Sequence, residues 1–184
     1  GKGIWRSGDH GITWTNISNG SGWPSVFNRI VIGINPVNEN SVYFLANTPG
    51  YGQHSDVFFG GEEWNSLWKY QYITGDGANA NGKWTNLSSN IPAGGQPMDN
   101  FNAQSSYNLV VAVKPDDTNM VFIGGTNLYR STDGFTNPNN VTHIGGYNPG
   151  STIPFYELYP NHHPDNHALL FVPSNPDVML SATD

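Results

Sequence analysis

The chain has 184 residues, seven Lys plus Arg against fourteen Asp plus Glu, a net charge of −7 and no cysteine. That is enough length for one domain with a real core; it excludes disulfides and thiol chemistry and argues against a nucleic-acid partner, whose phosphates need clustered cations. With 22 Gly, 13 Pro and 13% aromatics the composition is that of short strands joined by many turns, and no apolar run approaches the ~20 residues that span a bilayer, so no membrane insertion is expected.

The first elements are a strand at Ile4-Trp5-Arg6 and another at Trp14–Ile17, joined by Ser7-Gly8-Asp9-His10-Gly11-Ile12-Thr13-Trp14. In that hairpin Asp9 is expected to accept backbone N–H groups, Gly11 to supply a positive φ, Ser7 and Thr13 to bond across the turn, and Trp14 to pack into the sheet. A full set of four strands follows over 29–88: Arg29–Ile34 before Asn35-Pro36, Val42–Leu45, Leu67-Trp68-Lys69 and Trp84–Leu87. The same order returns over 108–145: Leu109–Val113 before Lys114-Pro115, Met120–Ile123, Leu128-Tyr129-Arg130 and Val141–Ile144. Over 167–184 the first two types appear again, Leu169–Val172 before Pro173 and Val178–Leu180. The continuous apolar runs of the first strands predict burial on both faces. The third strands are expected to carry their cations outward.

A four-strand unit recurring about every 60 residues, with no helix-period segment, predicts an all-β fold: a β-propeller of four-stranded antiparallel blades. Residues 1–184 read as one segment of about three blades, two of its half-blades lying at 1–18 and 167–184. It is expected to be a window of a longer chain, its ring closed by further blades of that chain, or a partial ring closed by a second copy. A chain that begins on Gly reads as a processed or excised piece.

The motif Ser7-x-Asp9-x-Gly11-x-Thr13-Trp14, with its shorter echo Ser131-Thr132-Asp133-Gly134-Phe135-Thr136, resembles the Asp-box, or bacterial neuraminidase, repeat. That repeat occurs in sialidases, xyloglucan-cleaving glycosidases, sortilin-type receptors and secreted bacterial surface proteins. The stretches 107–133 and 163–171 are similar to surface proteins that Bacteroidetes-type bacteria export with a C-terminal sorting domain. The resemblance implies an extracellular or cell-surface location and a structural role for Ser7, Asp9, Gly11, Thr13, Trp14, Ser131, Asp133 and Gly134.

In an antiparallel four-strand unit the short turns share one end and the long connections share the other. The long ones are 19–28, 48–66, 90–106 and 145–166, and long loops on a rigid scaffold carry function. Loop 48–66 holds Tyr51, His54, Asp56, Phe58, Phe59, Glu62, Glu63 and Trp64, aromatics beside carboxylates of the kind that stack on sugar faces and accept hydroxyl protons. Loop 145–166 and its exit hold Tyr156, Glu157, Tyr159, His162, His163, Asp165 and His167. The candidate ligand-binding set is Tyr51, Phe58, Trp64, Tyr156, His163 and His167. His163-x-Asp165-x-His167 has the donor types of a metal site and would share one face if extended, yet matches no closed zinc signature, so no metal or cofactor is assigned.

Glycoside hydrolysis needs two carboxylates about 5–10 Å apart; the weak catalytic candidates are Glu62, Asp99, Glu157 and Asp165, and nothing in the sequence pairs them. With only Arg6, Arg29 and Arg130, the three-arginine grip of the sialidases is disfavoured. The expected function is a module binding a glycan or protein through its long-loop end. Part of a xyloglucanase-like glycosidase and a structural propeller within a large adhesin are the alternatives. Asn16-Ile17-Ser18, Asn19-Gly20-Ser21, Asn86-Leu87-Ser88 and Asn140-Val141-Thr142 also fit the glycosylation sequon.

Overall fold

A computed structural model describes residues 2–58 and 60–184; Phe59 of the expected ligand loop lies outside them. Its strands are β1 (Trp5–Arg6), β2 (Thr15–Asn16), β3 (Ile30–Asn35), β4 (Asn38–Asn47), β5 (Gln53–Asp56), β6 (Glu62–Tyr72), β7 (Gly82–Asn86), β8 (Val110–Lys114), β9 (Asp117–Gly124), β10 (Leu128–Ser131), β11 (Val141–Gly145), β12 (Asn166–Val172) and β13 (Asn175–Thr183). The protein is all-β: helical structure among the described residues is confined to four three-residue 3-10 turns. The strands form several antiparallel sheets, and no closed barrel or propeller is found among the described residues.

Two sheets carry the expected four strands in sequence order, β3-β4-β6-β7 and β8-β9-β10-β11. Two smaller sheets, β1-β2 and β12-β13, have two strands each. In all three first-strand hairpins the register slips one step before the turn, at Ile34/Asn35, Val113/Lys114 and Phe171/Val172. Each turn then opens with proline (Pro36, Pro115, Pro173), whose fixed φ suits that position. The repeat is therefore one of backbone register as well as of sequence.

The main core lies between the two complete sheets. Tyr43, Leu45 and Leu67 of the first meet Val111, Val121, Ile123 and Tyr129 of the second, with Phe101, Leu109 and Phe135 from the connections. A second core covers the other side of the first sheet: Phe44, Trp68 and Tyr70 pack on Ile4 and Ile17 beside β1 and β2, and Trp84 Nε1 donates to the Ile17 carbonyl at 2.9 Å. Neighbouring residues thus serve opposite cores, which is why Val42–Ala46 of β4 reads as a continuous apolar run. Each such side chain, once buried, contributes roughly 1.5–3 kcal/mol.

Three expectations change. The first strands are not all buried on both faces: Ile32 and Ile34 of β3 and Leu170 of β12 are exposed along an apolar groove shared with Val111, Ala112 and Val113. The third-strand cations are half-buried rather than outward, because aromatic rings hold them: Arg6 lies 4.1 Å from the Tyr72 ring centre and Lys69 5.4 Å from that of Tyr43. Loop 48–66 is largely sheet, since β5 pairs with the first residues of β6, Gln53 opposite Asn65 through Asp56 opposite Glu62, before β7 takes the rest.

Candidate functional site

The short-turn end is built by aspartates that serve their own turns. Ser7 Oγ donates to Asp9 Oδ1 at 2.8 Å and accepts from Gly11 N at 2.8 Å, while the Asp9 carboxylate accepts Thr13 N and Thr13 Oγ1 at 2.9 and 2.5 Å. Those Thr13 bonds, then Ser7, hold the Asp9 carboxyl down at about 2. The shorter copy repeats the device: Ser131 Oγ donates to Asp133 and accepts from Phe135 N, and Asn140 Nδ2 donates to Asp133. Burial pushes the Asp133 carboxyl up, but bonds from Asn140, Ser131 and Thr136 outweigh it and leave it below its usual range. Asp76 accepts Ala78 N and Asn81 Nδ2 in the third such turn. Trp14 departs from expectation. It is 58% exposed, because its indole N–H turns back to cap the Gly11 carbonyl at 3.1 Å; in the echo the anchor is Phe135, wholly buried at φ 61°.

Two of the sequons prove to be a repeated backbone device. Asn16 Oδ1 accepts from Ser18 N and Ser18 Oγ, and Ser18 Oγ accepts from Ile4 N at 3.1 Å. Asn86, Ser88 and Leu67 make the same set, with Leu67 N to Ser88 Oγ at 3.2 Å. Asn140 is tied to Asp133. The spacing Asn-apolar-Ser, with Asn as the last residue of β2 and of β7, is the sequence signal for this device.

At the long-loop end, Glu63 of β6 is buried, and its carboxylate accepts Ala103 N at 2.5 Å, Ser105 N at 2.6 Å and Asn65 Nδ2 at 3.1 Å. Gln104, Ser105 and Ser106 all have positive φ, a tight bend in which Ala103 N and Ser105 N both reach Glu63 while Gln104 N donates to Asn102 Oδ1. Glu63 therefore fixes loop 90–106 and is not free for acid–base work. Next to it, Glu62 pairs with His54 Nε2 at 2.9 Å, and the His54 ring packs on Trp64 at 4.9 Å. A cavity of about 480 Å³ opens here, lined by Val57, Phe58, Glu62, Glu63, Asn102 and Gln104 among others.

The 145–166 connection comes to the same place. It doubles back on itself through the bridges Tyr147–Leu158 and Thr152–Phe155, and Asn127 Oδ1 pins its root by accepting Tyr147 N at 2.8 Å. Tyr147 lies edge-on to Phe58 at 5.7 Å and to Tyr156 at 5.4 Å. Burial, then the charge of Asp165 and then Tyr156, push its hydroxyl up. Two of the expected ligand aromatics, Phe58 and Tyr156, are thus brought together by a third that the sequence reading passed over. Its signal was an aromatic set among turn residues, Gly145-Gly146-Tyr147-Asn148-Pro149-Gly150.

The other candidates are engaged elsewhere. Tyr51 stacks on Trp68 at 6.3 Å and accepts from Asn86 Nδ2, so it flanks the sheet. Asp99 Oδ1 accepts Gly150 N at 2.8 Å at a second cavity of about 460 Å³ shared with His143; burial pushes that imidazole down, outweighing its Gly145 bond and Asp99. Glu157 accepts from Asn148 Nδ2 at 3.3 Å. Asp165 has φ 69°, so the segment is not extended and His163, Asp165 and His167 do not share one face. Asp165 accepts from Asn108 at 2.6 Å, His167 pairs with Asp184 and lies edge-on to Tyr107, and His163 is bonded to the Pro164 carbonyl. Among the described residues no group of three or more His, Cys, Asp or Glu is placed to hold a metal ion.

No family model, no curated protein and no solved structure matches the chain.

Proposed function

We propose that the chain is a segment of an extracellular or cell-surface β-propeller of the Asp-box type that binds a glycan through its long-loop end. The fold part of this reading is supported by the two like sheets that meet first strand to first strand. A Cβ at Gly33 of β3 would lie 3.0 Å from the Val111 carbonyl of β8, a tight approach that glycine eases. The aspartate-centred turns at one end support it further.

The observation that carries the binding reading is the Phe58–Tyr147–Tyr156 junction beside the 480 Å³ cavity. Aromatic faces meet apolar sugar faces, and the amides of Asn102 and Gln104 and the carboxylate of Glu62 offer partners for hydroxyls in a cavity of ligand-site size. Binding is favoured over hydrolysis because Glu63 is spent on Ala103 N, Ser105 N and the Asn65 amide, and Asp99 and Glu157 each accept from the 145–166 connection.

A glycan array followed by titration calorimetry tests this. Tyr147→Ala and Tyr156→Ala are expected to weaken the best-bound glycan at least about tenfold, ~1.4 kcal/mol. Asp9→Asn, at the opposite end, is expected to leave affinity unchanged. Undiminished binding by Tyr147→Ala would move the site elsewhere; an array with no bound glycan would remove the reading.

A further inference from the structure

We infer that the outer edge of β13 is a docking edge for β1 of a second copy, and that two copies close on each other through two such joints. The inference stands on strand register and is independent of the glycan reading. In the first complete sheet the second and third strands pair Val42–Tyr70, Tyr43–Lys69, Phe44–Trp68 and Leu45–Leu67. In the other they pair Val121–Ser131, Phe122–Arg130, Ile123–Tyr129 and Gly124–Leu128. Counted from their proline turns the two registers coincide. The same count along β12 and β13, from Val172 opposite Asn175, puts Met179, Leu180, Ser181 and Ala182 at the second-strand positions. Counted from the turn motif, Ser7, Arg6, Trp5 and Ile4 occupy the third-strand positions. The implied pairs are Met179–Ser7, Leu180–Arg6, Ser181–Trp5 and Ala182–Ile4.

Two of these positions, those of Leu180 and Trp5, are uncovered in the two-stranded sheets and buried in the complete ones. Leu180 is 56% exposed where Tyr43 and Phe122 are 1% and 6%; Trp5 is 42% exposed where Trp68 and Tyr129 are 4% and 2%. Beyond pairing with β12 and β2, β13 and β1 take part in no other sheet, and an unpaired strand edge is a template for another strand. The strand that fits β13 by register and by its apolar-aromatic-cation pattern is β1. In the structure β1 packs with the first sheet's outer core while β12 packs beside β8, Phe122 meeting Phe171 at 5.5 Å, so each copy offers one edge of each kind. Two identical joints satisfy both under a two-fold axis, whereas a single joint leaves one of each open.

Sedimentation velocity on the unmodified chain at micromolar concentration is expected to give twice the 20.1 kDa chain mass. The chain lacks cysteine, so engineered pairs report register. Opposed residues of an antiparallel pair lie within disulfide reach. Oxidation of Arg6→Cys/Leu180→Cys is expected to give a covalent dimer, and the one-step-shifted Arg6→Cys/Ser181→Cys is not. A monomer in sedimentation, an open-ended series of polymers, or equal cross-linking by both pairs would overturn the inference. The first two readouts need no variant, so a misfolded mutant cannot decide them.

Discussion

The Glu63 carboxylate accepts the backbone N–H of Ser105 at 2.6 Å from a buried position on β6. With Ala103 N on its other oxygen it ties the connection between the two complete sheets to the long-loop end of the first. Removing it strands two N–H groups and the Asn65 amide. Glu63→Ala is expected to cost about 2–4 kcal/mol in urea denaturation, and Glu63→Gln less, since bonds to a charged acceptor are the stronger ones. A loss within 0.5 kcal/mol for Glu63→Ala would show that the loop is held by other contacts.

Ser18 and Ser88 do the same work in successive units, accepting the N–H of Ile4 and of Leu67, the apolar residue before the Trp-cation pair in each. Ser88→Ala and Ser18→Ala are each expected to destabilise by about 1–2 kcal/mol. The two serines share no hydrogen-bond partner, so the double variant is expected to add. Mass spectrometry gives an independent check: glycan attached to Asn86 would contradict the role of its side chain in bonding Ser88 and Tyr51.

Gly134 has φ 68°, and a Cβ there would sit 2.5 Å from Tyr43 Oη, a hydroxyl that burial, with Asp133, pushes up to about 12. Gly134→Ala is expected to cost about 2 kcal/mol or more, from backbone strain plus displacement of a core tyrosine. Gly50→Ala, at φ 78° with open space around it, is expected to cost only the strain, about 1 kcal/mol. Equal losses in the two variants would mean the Tyr43 contact carries nothing.

Asp9 and Asp165, shifted in opposite directions, give pH dependences of opposite sign. Asp9 at about 2 lies below its ordinary 3.8, so its contribution is full above 3.8 and is lost as pH falls through about 2. The melting-temperature gap between the wild type and Asp9→Asn is expected to close over that window. Asp165 is pushed up by burial and then by Asp184, so its charged form carries a penalty that is relieved as pH falls through the raised value. Asp165→Asn keeps an acceptor for Asn108 Nδ2 and carries no charge. It is expected to melt higher than the wild type at pH 7, with the gap shrinking in acid. A lower melting point at pH 7 would reverse the sign.

The sequence by itself determined the units. Proline turns, Asp and Gly at hairpins and alternating apolar strands are local chemistry, each readable within a few residues, and all twelve anticipated strands form, two of them only two residues long. It also named the end where long loops gather. What only the tertiary structure decided was which side chains meet across units. Trp14 stays outside because its own turn offers a carbonyl, Glu63 is consumed by a loop forty residues on, and Tyr147 is the aromatic that joins Phe58 to Tyr156. Turn propensity is a property of neighbours in the chain; a carboxylate's partners and a ring's packing depend on loops folding back over distances that no local pattern encodes.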